Sequence, residues 1–176
     1  MSHQILNKKT VYSGSAFKVE SLHVRLPDNR ESDYDLVRHL DSVTIIPVDQ
    51  ERNIWFVTQF RMGCEKILLE LPAGVMSEHE SPRECALREI REETGMAAGN
   101  LEQLGSIYLA PGYSSELNHI FLATDLYPSP LDMDKDEFLG LEKYSLEKIP
   151  ALIQSGKLQD SKSLAAFQMA AHRMAG

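Results

Sequence analysis

Along this chain the apolar positions change their period several times, and each change marks a new element. From Lys18 to Leu26, the apolar Leu22, Val24 and Leu26 alternate with His23 and Arg25, a period of two that predicts a half-buried strand. Pro27-Asp28-Asn29 supplies turn chemistry, and Tyr34–Leu40 is the expected hairpin partner. Val43–Val48 and Ile54–Phe60, rich in β-branched and aromatic residues, predict two more strands joined by the polar turn Asp49–Asn53. Ile67–Leu71 is a further short run, stopped by Pro72 and Gly74. Gly105–Ala110 and Asn118–Thr124 complete the strands, with Pro111-Gly112 opening the loop between them.

Helical periods are fewer. Ser81-Pro82-Arg83-Glu84 has the pattern of a capping box, with proline at the first helical position, where its missing N–H costs nothing. The helix runs to Thr94 and ends at Gly95, the residue best suited to a left-handed cap. Ala86, Leu87, Ile90 and Thr94 form its expected core stripe. A second helical stretch lies between Ser145 and Gln154, where Pro150 breaks it or delays its start, and a third runs from about Ser161 to Met174. Mostly strands with two or three helices packed on them predict an α+β fold, an α/β/α sandwich.

Composition narrows the partners. The 176 residues carry 26 acidic and 18 basic side chains, a net charge of -8, which argues against nucleic-acid binding. A small phosphorylated substrate remains compatible, provided that metal ions neutralise its site. Cys64 and Cys85 make no disulfide framework, and the opening residues hold no apolar targeting segment. No stretch approaches a membrane span, so a cytoplasmic protein without a membrane partner is expected.

The chemistry lies on the helix after Ser81. Glu89, Glu92 and Glu93 are expected on the face opposite the core stripe, beside Arg88. Like charges at this spacing repel one another, and a divalent cation would offset the whole cluster. Carboxylate oxygens are hard ligands, so Mg²⁺ or Mn²⁺ is expected rather than zinc.

Around this helix, Gly74, five residues, Glu80, seven residues and then Arg88-Glu89-Ile90-Arg91-Glu92-Glu93-Thr94-Gly95-Met96 match G-x5-E-x7-R-E-U-x-E-E-x-G-U at every fixed position. This resembles the box of the Nudix hydrolases. The resemblance implies a Nudix fold, with a mixed central sheet and an N-terminal antiparallel hairpin extension, that hydrolyses a nucleoside diphosphate linked to another moiety. It implies Glu89, Glu92 and Glu93 as catalytic metal ligands, completed by the backbone carbonyl of Ala73. Arg88 would orient a glutamate, while Glu80 and Gly74 would serve the loop–helix geometry.

Gln59-Phe60-Arg61, Leu69-Glu70-Leu71-Pro72-Ala73-Gly74 and Ala110-Pro111-Gly112-Tyr113-Ser114-Ser115-Glu116 are similar to the ADP-ribose pyrophosphatase branch, in which a proline follows the box by about sixteen residues, as Pro111 does here. That likeness implies hydrolysis of ADP-ribose to AMP and ribose 5-phosphate. Arg61 and Arg38 would bind phosphate, with Glu116 and Pro111 in the loop near the terminal ribose. Another nucleoside diphosphate sugar, such as GDP-mannose, fits the same residues, and a sensing module without catalysis is the alternative of another class. The general base would come from the acidic loop before the last helices: Glu137 is the first choice, with Asp136, Asp134 and a box glutamate open beside it. The branch also implies a homodimer, formed by an extension over residues 1–40 ahead of a hydrolase domain at 41–176. Tyr12 and Phe17 would supply an aromatic platform. His79 and His119 show no ligand spacing and are expected to be structural.

Overall fold

The computed structural model describes residues 2–132 and 138–174. Two compact units divide the chain: residues 1–41 with 108–117, and residues 42–107 with 118–176. The first unit therefore takes in the Pro111 loop as well as the N-terminal extension.

In the first unit, β1 (Gln4–Ser13), β2 (Phe17–Arg25) and β3 (Glu31–His39) form an antiparallel sheet in that order. The β2–β3 pair is the expected hairpin, and Asn29 takes a positive φ of 67° in its turn, a conformation that asparagine tolerates well. β1 was not marked as a strand by periodicity. It is exposed along its whole length, so no buried face imposes an alternation, and pairing with β2 alone defines it. Beside β3, the Val37 N–H donates to Tyr113 O and the Ser115 N–H to Val37 O, which ties the Pro111 loop into this unit.

The second unit holds β4 (Ser42–Pro47), β5 (Asn53–Arg61), β6 (Lys66–Glu70), β7 (Ala73–Val75), β8 (Met96–Tyr108), β9 (Leu117–Pro128) and β10 (Gly140–Ser145), although the outer ends of β8 and β9 reach the first. Its helices are α1 (Pro82–Thr94), α2 (Ile149–Gln154) and α3 (Ser161–Met174). One sheet has the order β7-β4-β9-β8, with β4 parallel to β9 and antiparallel to β7; the other has the order β10-β5-β6.

Successive residues of β4 and β9 point to opposite faces of their sheet, and this alternation builds two cores. Val43, Ile45, Phe121 and Ala123 pack with Cys85, Ala86 and Ile90 of α1. Ile46, Ile120 and Leu122 pack on the other side with residues of β5 and β6, with Ile149 and Leu152 of α2, and with Ala166, Phe167 and Ala170 of α3. The result is the α/β/α sandwich of an α+β fold.

Local departures from the pattern have local causes. The strand expected at Gly105–Ala110 is β8, which begins at Met96 and ends at Tyr108. Gly99, Asn100 and Gly105 disfavour strands individually and conceal a ladder that tertiary pairing imposes. β10 pairs with the edge of β5 and carries no buried run of its own. Pro150 falls in the first turn of α2, which starts late, after a short 3₁₀ turn at Leu146–Lys148.

Candidate active site

Helix α1 is fixed at both ends. Ser81 Oγ accepts the Glu84 N–H, the Glu84 carboxylate accepts the Ser81 N–H at 2.9 Å, and Pro82 occupies the first turn. Gly95 closes the helix at φ 72°, its N–H donating to Arg91 O. Between these caps Cys85, Ala86 and Ile90 face the sheet, while Leu87 is only half buried.

The acidic cluster lies elsewhere than expected. Glu89 and Glu93 are not on the face opposite the core: they are 7% and 4% exposed. At about 100° per residue, Glu93 falls almost in line with Ala86, and Glu89 lies about 60° from it, so both flank the apolar stripe. Glu92 alone of the three stays half-buried.

What lets two carboxylates sit against the sheet is β7. A Cβ placed on Gly74 would come within 1.9 Å of the Glu89 Cδ, so only glycine leaves room for that carboxylate. The Ala73 N–H donates to Glu93 Oε2 at 2.9 Å. β7 is held in turn by pairing of Ala73 and Gly74 with Thr44 and Val43 of β4.

Arg88 gathers the remaining charges. Its Nε and Nη2 donate to the two oxygens of Glu80 at 2.9 Å each, and Nη1 donates to Glu89 at 2.5 Å and to Glu92 at 2.9 Å. Nη2 also reaches Val75 O at 3.3 Å. The guanidinium holds Glu80 far below the usual carboxylate range, at about 2, against the opposing effect of burial. Glu80, in return, leads the interactions that raise Arg88 above its ordinary value. Burial, with Glu89 nearby, pushes the Cys85 thiol up and keeps it protonated.

The donor set is all oxygen: three glutamates and a backbone strand over a cradle that any Cβ would fill. This chemistry fits a hard divalent cation. Among the described residues no three His, Cys, Asp or Glu side chains converge on one point, because Glu89 and Glu92 both reach for Arg88.

Arg61, at the end of β5, belongs to a second cluster. Its Nε and Nη2 donate to the two oxygens of Glu70, both at 2.7 Å. Glu70 is only 1% exposed and also accepts from Lys162 Nζ of α3. Burial works to protonate Glu70, but the two cations outweigh it and hold its pKa below the ordinary value. Sequence reasoning did not single out Glu70 and Lys162 as partners. A signal existed in Glu70, a carboxylate between the buried Leu69 and Leu71, which needs a cation wherever the chain can bring one.

Arg38, Pro111 and Glu116 belong to the first unit. Arg38 Nε donates to Glu20 Oε2 at 2.8 Å, Pro111 lies exposed in a turn closed by the Tyr113 N–H on Ala110 O, and Glu116 Oε2 stands 3.9 Å from His39 Nδ1. Tyr12 and Phe17 are exposed and meet with ring centroids 5.9 Å apart. Glu137, Asp136 and Asp134 lie outside the described residues.

A family model described as the NUDIX domain matches residues 38–167. A protein of Bacillus subtilis (strain 168) named ADP-ribose pyrophosphatase is 32% identical over 96% of this chain and 92% of its own length. A Bacillus methanolicus protein named methanol dehydrogenase activator is 33% identical over 93% of this chain and 89% of its own. A solved structure titled as an ADP compounds hydrolase superposes with a TM-score of 0.91 at 27% identity, covering 100% of this chain and 96% of that one.

Proposed function

The chain belongs to the NUDIX domain family as a pyrophosphohydrolase, and on that premise we propose that it cleaves ADP-ribose to AMP and ribose 5-phosphate with Mg²⁺ or Mn²⁺. The observation that carries the metal-dependent chemistry is the pair of buried carboxylates, Glu89 and Glu93, fixed on α1 against the Gly74 cradle. Burying like charges is costly, and one guanidinium, Arg88, is shared among Glu80, Glu89 and Glu92.

In this proposal Glu89, Glu92 and Glu93 hold the cation, with the backbone carbonyl of Ala73. Once bound, the cation would polarise the diphosphate and lower the pKa of the attacking water. Arg88 sets the direction of Glu89 and Glu92 by donating to both from one nitrogen. It is kept in place by its two bonds to Glu80. Arg61 contributes a planar cation for a substrate phosphate, and Arg38 is proposed for the same role. Glu116 and Pro111 are proposed to face the terminal ribose. The base is Glu137, with Asp136, Asp134 and a box glutamate as its alternatives. Assembly as a homodimer through residues 1–40 and a cytoplasmic location belong to the same proposal.

Substrate preference is supported by the names of the relatives, which fix it less firmly than the box fixes the reaction. The test is phosphate release, coupled to a phosphatase, across nucleoside diphosphate sugars with Mg²⁺ and with EDTA. Metal-dependent turnover greatest with ADP-ribose is expected. Preference for GDP-mannose would move the specificity and keep the chemistry, whereas no turnover of any member with either Mg²⁺ or Mn²⁺ would sink the proposal.

A further inference from the structure

We propose that Lys162 is a positioning residue for Arg61: by sharing the buried Glu70 carboxylate, it fixes the anchor that sets the plane in which Arg61 meets a substrate phosphate. The inference rests on the phosphate-binding role given to Arg61 above.

The cluster is graded by exposure. Glu70 is buried at 1%, Lys162 side-chain exposure is 12%, and that of Arg61 is 42%, so Arg61 is the member of the three that most readily meets a ligand. Two parallel bonds from Arg61 to Glu70 fix the plane of the guanidinium, which a single contact could not do. Lys162 Nζ donates to the Glu70 oxygen that also takes Arg61 Nη2, so one carboxylate answers to two cations.

Lys162 is itself held for this purpose. Its second carboxylate partner is Asp160 Oδ1 at 3.0 Å. The other Asp160 oxygen is engaged by the Ser163 N–H at 3.0 Å and the Ser163 hydroxyl at 2.5 Å, in the first turn of α3. Asp160 is therefore partly satisfied by the helix and only partly by Lys162. Ser163 Oγ in turn accepts the Leu71 N–H at 2.8 Å, docking the start of α3 beside Glu70. The four groups carry two positive and two negative charges, so the cluster is balanced and its effect is to hold Arg61 in place. Asp160 and, more weakly, Glu93 of the box also act electrostatically on Arg61, and Glu93 links the cluster to the metal platform.

A bland alternative is a staple that merely holds α3 to β6. Kinetics of Arg61→Ala, Lys162→Met, Lys162→Arg and the double variant R61A/K162M separate the two, with circular dichroism to confirm folding. Loss of a charge-assisted bond predicts that Arg61→Ala raises KM for ADP-ribose by about tenfold or more with a smaller change in kcat. Lys162→Met should raise KM by roughly threefold to tenfold, and Lys162→Arg should restore most of it. The double variant should resemble Arg61→Ala alone, because Lys162 acts through Arg61. An unchanged KM in Lys162→Met, or a Lys162→Met effect that persists in full without Arg61, would overturn the proposal while leaving Arg61 in its role. An unchanged KM in Arg61→Ala would overturn both.

Discussion

Arg88 and Arg61 are each held by glutamate, yet the charges around the first are unbalanced and those around the second are balanced. Around Arg88 one guanidinium faces Glu80, Glu89 and Glu92, with Glu93 on the next turn of the same helix. Around Arg61 one buried glutamate faces two cations, with Asp160 behind the lysine. Both arrangements are partly desolvated, so the imbalance of the first costs more than it would in water. A divalent cation relieves the first, while the second needs no relief and holds Arg61 at its exposed edge. An unbalanced acidic cluster and a fixed, exposed guanidinium therefore suit a substrate that brings anionic phosphates to a metal.

The comparison breaks most severely at the negative cluster. Glu93→Gln keeps the shape and removes one charge, and kcat should fall by about a thousandfold or more with substrate binding largely retained. An activity within tenfold of the unchanged protein in a steady-state assay would remove Glu93 from the metal platform. Next in size is Gly74→Ala, whose Cβ collides with the Glu89 carboxylate at 1.9 Å. Displacing that group should cost about a hundredfold in kcat/KM. Gly63→Ala, where nothing lies within 4 Å, is the matched control and should leave the rate unchanged. Arg88→Lys retains the charge but cannot bridge Glu80 and Glu89 together. It should weaken the metal requirement curve by roughly tenfold, read as the Mg²⁺ concentration for half-maximal rate.

The smallest expected effect is on stability in acid. Glu80 is lowered from 4.5 to about 2 by Arg88, so its contribution is fully present above pH 4.5 and is lost as pH falls toward 2. Removing that carboxylate with Glu80→Gln should shrink the acid loss over this window. Unfolding followed by circular dichroism should give parent and variant curves that meet near pH 2, separate between about 2 and 4.5, and keep a constant gap above that. Curves that stay parallel between about pH 2 and 4.5 would mean that Arg88 does not hold Glu80 in this way.

How legible this was in the chain depends on range. The caps of α1 and the box itself are local signals, and the expected Ser81, Pro82 and Gly95 appear as drawn. The burial of Glu89 and Glu93 was misjudged because it depends on β7, a three-residue strand with too little pattern to announce itself. The Glu70–Lys162 contact joins residues 92 apart, and no local period connects them. β1 escaped notice for the opposite reason, since an exposed strand has no buried face to print on the sequence.

The account turns on whether the α1 carboxylates hold a cation. Calorimetric titration of Mn²⁺ into the substrate-free protein, beside Glu93→Gln and Glu92→Gln, measures this without relying on turnover. Saturable binding in the unchanged chain, weakened about tenfold or more in both variants, is the predicted result. Equal binding in all three, or none in the unchanged chain, would contradict it.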